Sequence, residues 1–162
     1  MGTAMAVEGK MKNFRVKLLC LLLAALAAGL GAQALAAKKA SGLVVVVKAG
    51  GALEDLTLKD IRAIYLGEKL FQGSSKIEPL VNGDDSVALV FFGKVLGKTK
   101  AQFKKIWKSK AFVDGLESPP ILPSSEEVLH TVQKENYAIG FVNETDISSA
   151  EKNSVKVLYS AQ

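Results

Sequence analysis

Five consecutive residues, Asn82, Gly83, Asp84, Asp85 and Ser86, combine side-chain types suited to holding a small polar ligand. They stand where a β-type run (residues 77–81) gives way to a second apolar run (residues 87–96). With the second run helical, the turn sits at a helix N-terminus. Unpaired N–H groups and about half a positive charge make that place an anion site. Gly83 would let a ligand approach the backbone, and Ser86 could donate its hydroxyl. The competing reading is structural: Asp84 or Asp85 simply caps the helix. Residue types alone favour the cap.

Other chemistry is harder to place. Nucleophilic catalysis by serine needs a base, usually histidine. The one histidine, His130, falls away from the Val128/Leu129/Val132 face of its helix and reads as a surface residue. One histidine also cannot make a transition-metal site, and the acidic residues lack calcium-loop spacing. The pair Glu126/Glu127 falls in a first helical turn, where negative charge offsets the macrodipole. Glu54/Asp55 reads as loop solvation. No catalytic residue, metal or cofactor is assigned, and the chain is not expected to be an enzyme. Residues 98–110 hold six lysines: Lys98, Lys100, Lys104, Lys105, Lys108 and Lys110. They read as the solvated face of an amphipathic helix, or as a docking face for an acidic partner or an anionic membrane.

Strands and helices must hold the turn in place. Residues 43–47 (LVVVV) are a continuous β-branched run, the pattern of a strand buried on both faces. Thr57 to Asp60 approximates a capping box with Asp in third place. Leu58, Ile61, Ile64 and Tyr65 then share one helical face, and Gly67 is placed to end the helix in a left-handed cap. Residues 68–76 read as a loop, and 77–81 as a second strand whose Pro79 suits a sheet edge. Residues 87–96 read as a buried helix stopped by Gly97. Thr99 and Gln102 frame a full capping box, opening a helix with Phe103, Ile106 and Trp107 on one face. Residues 111–123 carry three of the four prolines and read as an irregular connection. Ser124 to Glu127 is another capping box, and its helix buries Val128, Leu129 and Val132. Residues 138–142 and 155–159 are the last strands. The order is β-α-β-α-α-α-β-β.

The first quarter of the chain is of another kind. Residues 18–36 contain no charged residue, and Lys10, Lys12, Arg15 and Lys17 stand just before them. A basic segment, an apolar run and Ala34-Leu35-Ala36 are the three parts of a secretory signal peptide, with Met11 as its start and cleavage after Ala36. The competing reading keeps the run as a membrane anchor. Setting aside residues 1–36 removes four basic residues and Glu8, which lowers the net charge from +5 to +2. It also removes the single cysteine, Cys20. Residues 37–162 are then one domain, outside the cytoplasm, without disulfides and not basic enough for nucleic-acid binding. No stable membrane anchor remains after cleavage.

The order LTLKDIRAIYLGE (residues 56–68), a strand, a Gly/Ser/Asp turn into an apolar helix, then YAIGFV (residues 137–142) resembles the periplasmic phosphate-binding proteins of ABC transporters. More closely, it resembles the short secreted proteins of the PBP-like (PstS-like) domain family. The resemblance covers about residues 43–159. It implies a single three-layer-like α/β lobe of the type II periplasmic-binding-protein fold, with a mixed sheet and about four helices. It places a small, phosphate-like anion at Asn82, Gly83, Asp84, Asp85 and Ser86. The family's phosphate binders carry R-x-D-G-S-G-T at this turn. Here Gly83 and Ser86 fit that motif, but Gly83-Asp84-Asp85 replaces its Gly-Ser-Gly core and no Arg precedes it. A lone lobe also lacks half the contacts of a closed cleft. The expected function is therefore a secreted, weak, non-enzymatic solute binder, with a homodimer or partner protein completing the cleft. The alternative is an interaction module that has kept the fold and docks a partner protein.

Overall fold

The computed structural model describes residues 42–161. The predicted leader, its cleavage point after Ala36 and Cys20 lie outside the described residues. The described residues all belong to one compact unit.

Strand β1 (Leu43–Lys48) is the continuous apolar run, and its first five residues are all buried. It is central in a sheet of order β4-β7-β1-β8. Both its neighbours, β7 (Ala138–Asn143) and β8 (Val155–Ala161), run antiparallel to it. At the edge, β4 (Glu78–Pro79) pairs parallel with β7, so the sheet is mixed. Side chains alternate across a strand. Leu43, Val45 and Val47 therefore face one apolar layer, and Val44 and Val46 face another. Each fully buried valine or leucine contributes roughly 1.5–3 kcal/mol.

The first layer is built from three helices. Helix α1 (Leu58–Tyr65) buries Ile61, Ile64 and Tyr65. Its capping box is complete, because the shorter Asp60 still reaches the Thr57 N–H at 3.0 Å. Gly67 follows at φ +66°. A Cβ there would also press on Trp107 and Lys110, so glycine serves both the cap and the packing. Helix α2 (Asp85–Val90) continues as a π-helical segment, Phe91–Leu96, and stops at Gly97. Helix α3 (Lys100–Asp114) opens on the predicted Thr99/Gln102 box and buries Phe103 and Trp107. Phe91 stacks on Phe141 of the sheet, with ring centroids 3.9 Å apart. On the opposite face α4 (Ser125–Lys134) buries Val128, Leu129 and Val132. The described residues form the expected α/β lobe of three layers, with four α-helices and a mixed sheet.

Several boundaries differ from the sequence reading. Residues 68–76 are not a plain loop: β2 (Phe71–Gln72) and β3 (Ser75–Lys76) form a hairpin around Gly73. The strand expected at 77–81 is split. Its first part is the edge strand β4, as Pro79 suggests, and its second is β5 (Val81–Asn82), which pairs with β6 (Ile121–Leu122) in a separate ladder. The helix over 87–96 is not buried all round, since Leu89 is 60% exposed. Residues 111–114 continue α3, because Gly115 is the first residue that breaks it. The Ser124 capping box is only half made: Ser124 accepts from the Glu127 N–H at 3.3 Å, but Glu127 does not reciprocate.

Candidate functional site

The 82–86 turn lies between β5 and α2, as the sequence suggests. Its first residue faces inward. Asn82 is 1% exposed, and its amide nitrogen donates to the Phe141 carbonyl at 3.2 Å and to Ser125 Oγ at 3.0 Å. Its side-chain oxygen accepts from the Asp84 N–H at 2.9 Å. Asn82 thus ties the turn to β7 and to the start of α4.

Gly83 is exposed, but the approach that it permits is made by its own chain. Its N–H donates to the Leu122 carbonyl at 2.7 Å, and a Cβ would stand 2.8 Å from that oxygen. The β5–β6 ladder therefore supplies the close contact for which the sequence reading proposed a ligand. Asp84 is the N-cap of α2. One of its oxygens accepts from the Ser86 N–H at 2.8 Å and from the Ser86 hydroxyl at 2.6 Å. Both donors that Ser86 offers are thus paired to a carboxylate of the same turn. Asp85 is exposed and pairs with Lys100 in the first turn of α3.

Lys100 is the residue at this turn that the sequence reading did not connect with it. It brings a cation to the exposed start of α2. The clue was available: Lys100 follows a helix cap, so its direction is set by a defined helix start. Arg62 does not serve the turn. Its Nε donates to the Val95 carbonyl at 2.6 Å and ties α1 to the π-helical end of α2.

Asp84 also lines a cavity of about 770 Å³ that reaches the N-terminus of α4. Ser124, Ser125, Glu126, Asp146 and Glu151 share that lining, so its charge is negative. The Ser148 hydroxyl and N–H hold the Glu151 carboxyl below its usual range, with Gln133 adding to the effect. Of the five predicted residues, Asp84 alone faces this cavity, and Gly83, Asp85 and Ser86 are exposed outside it. His130 is exposed, as expected.

Beneath the turn, Tyr65 holds the strands that carry it. Its buried hydroxyl lies 2.9 Å from the Leu80 carbonyl and 3.0 Å from that of Ile139, spanning the β4–β5 junction and β7. Burial raises its pKa well above the ordinary phenol value. The Trp107 indole N–H donates to the Tyr65 carbonyl at 2.9 Å, so α3 supports α1 from behind.

Three solved proteins have a similar fold. A Clostridium perfringens protein assigned as a phosphate ABC transporter substrate-binding protein, solved with bound phosphate, superposes with a TM-score of 0.55 at 19% identity. The match covers 73% of this chain and 44% of that one. An ABC-type phosphate transport receptor from Vibrio cholerae gives 0.52 at 19% identity, over 73% and 45% of the two chains. A Planctomyces limnophilus protein assigned as phosphate-binding gives 0.50 at 14%, over 73% and 40%. The fold is that of the periplasmic binding proteins. The chain spans under half the length of these proteins, as a single lobe would. No protein-family model and no curated protein matches the chain.

Proposed function

We propose that this periplasmic-binding-protein lobe is an exported, non-enzymatic solute-binding-like protein that holds a small phosphate-like anion weakly at Asn82, Gly83, Asp84, Asp85 and Ser86. In this reading residues 1–36 are the leader, residues 37–162 are one domain, and the protein works in the periplasm or outside the cell. The observation that carries the proposal is the position of Lys100, whose ammonium meets Asp85 at the exposed start of α2. This is a cation at a helix start, in a fold shared with phosphate-binding proteins.

The two carboxylates of the turn decide which anion fits. They repel a fully ionised oxyanion, but they accept a hydrogen bond from a protonated one. The site therefore favours monobasic phosphate over sulfate. Half the contacts of a closed cleft are missing, which keeps affinity low until a second copy or a partner protein covers the turn. Calorimetric titration with phosphate and sulfate at pH 6 and pH 8 tests this. Phosphate should bind at millimolar concentration and more tightly at pH 6, sulfate should not bind, and Lys100→Gln should weaken phosphate roughly fivefold. Equal response to both anions, or none to phosphate, would overturn the reading.

A second reading is supported by the pairing of Ser86 with Asp84. That carboxylate already takes the N–H and hydroxyl that an anion would need. An interaction module that has kept the fold and lost the ligand would look the same. Its signature is a silent titration together with capture of a specific protein partner.

A further inference from the structure

A second cavity, of about 390 Å³, lies between α3 and the segment that leads into β6. Its volume falls within the range of small-molecule sites. One wall is apolar: Phe92, Phe103, Trp107, Pro119 and Ile121 line it, and Ile121 is 62% exposed. The other wall is the lysine row Lys100, Lys104 and Lys108, spaced one helical turn apart. No aspartate or glutamate lines the cavity. Lys100 pairs with Asp85, but Lys104 and Lys108 make no ion pair or hydrogen bond among the described residues. A smaller cavity of about 250 Å³ shares Trp107, Ser118 and Pro119 with it and has a mixed lining, in which Ile77 and Leu116 stand with Lys69, Lys76, Glu78 and Glu117.

A lysine row on a helix is ordinarily a solvated face. Here it is different in one respect. The row at 100, 104 and 108 borders an apolar cleft, whereas Lys105 lies off it. Lys104 and Lys108 make no ion pair among the described residues, and side chains one helical turn apart stand on Cβ atoms roughly 6 Å from each other, so both can reach one carboxylate, while the cleft beside them suits an apolar body. The cavity beside the 82–86 turn has the opposite charge, lined by Asp84, Glu126, Asp146 and Glu151. Charge therefore selects between the two cavities.

We propose that the cleft between α3 and β6 is a binding site for an amphipathic organic anion, a carboxylate on an apolar chain or ring. The carboxylate lies against Lys104 and Lys108, and the apolar part covers Ile121 and runs toward Trp107. The proposal does not rest on phosphate binding at the 82–86 turn, although Lys100 borders both places.

Trp107 is the only tryptophan of the chain, so its fluorescence reports this cleft. The full chain is titrated, below micelle-forming concentrations, with decanoate, decanol, decyltrimethylammonium and acetate. Decanoate should give a saturable change in Trp107 emission, and the other three little or none. Lys104→Gln with Lys108→Gln should weaken decanoate roughly tenfold without a change in melting temperature. Ile121→Asp, at an exposed position, should abolish the response. Ser86→Ala should leave decanoate binding unchanged, which separates this site from the turn. Equal responses to decanoate and decyltrimethylammonium, no response to decanoate, or unaltered decanoate binding by the double lysine variant would overturn the proposal.

Discussion

Asn82 has a different place from its neighbours in the turn. Its two amide hydrogens and its oxygen are all used within the protein, at 1% exposure. Removing such a side chain leaves the Phe141 carbonyl and the Asp84 N–H without that partner, at a cost of about 1–3 kcal/mol. Asn82→Ala should therefore lower unfolding free energy by about 2–3 kcal/mol in urea denaturation, and Asn82→Asp should not rescue it. A variant of parental stability would show that Asn82 does not organise the turn. The sequence identified these five residues as a group but could not rank them. Asn82 and Asp85 are alike in composition terms. What separates them is that Asn82 lies beside β7 and α4, which come from the far end of the chain. Gly83 shows the same limit. Its need for a small side chain is real, but Leu122, not a ligand, is the reason.

Helices were legible because their ends are written locally. The caps at Thr57 and Thr99 each need only four residues, and glycines at 67, 97 and 115 close the elements that precede them. The short strands were not legible. β4, β5 and β6 are two residues each, and their pairing depends on partners that no local pattern names. The α1 cap also carries an acid sensitivity. The Thr57 hydroxyl, then the Lys69 ammonium and the Thr57 N–H, hold the Asp60 carboxyl well below the ordinary carboxylate range. A lowered pKa in the folded state stabilises at pH values above the unfolded pKa, near 3.8, and that stability is lost as pH falls through the folded value. Asp60→Asn should cost about 1 kcal/mol at pH 7. The gap between parent and variant should stay constant down to about pH 4 and narrow progressively as pH falls from there toward pH 2, because only the parent has the group to titrate. A gap that is constant with pH would remove Asp60 as its source.

At the scale of the whole molecule, the sheet closes in an order unlike that of the chain. β1 opens the described residues, yet both its partners, β7 and β8, come from the other end. The apolar run at 43–47 announced a strand buried on both faces, but not that both neighbours would be antiparallel and distant. Such long-range pairing is slow, because loop-closure entropy is lost before the contacts form. It also makes β8 a condition for the core. Without it, one edge of β1 is unpaired and Val46 and Val47 lose the backbone partners Val157 and Lys156. A chain ending at Ser154 should therefore show no cooperative thermal transition and should aggregate at micromolar concentration. A peptide of residues 155–161, added in trans, should restore the transition, because it supplies the edge strand and its hydrogen bonds without altering the rest of the fold. A truncated chain that melts cooperatively within a few degrees of the parent would mean that β8 only decorates the edge, and that β4, β7 and β1 with the two helical layers are sufficient for the lobe.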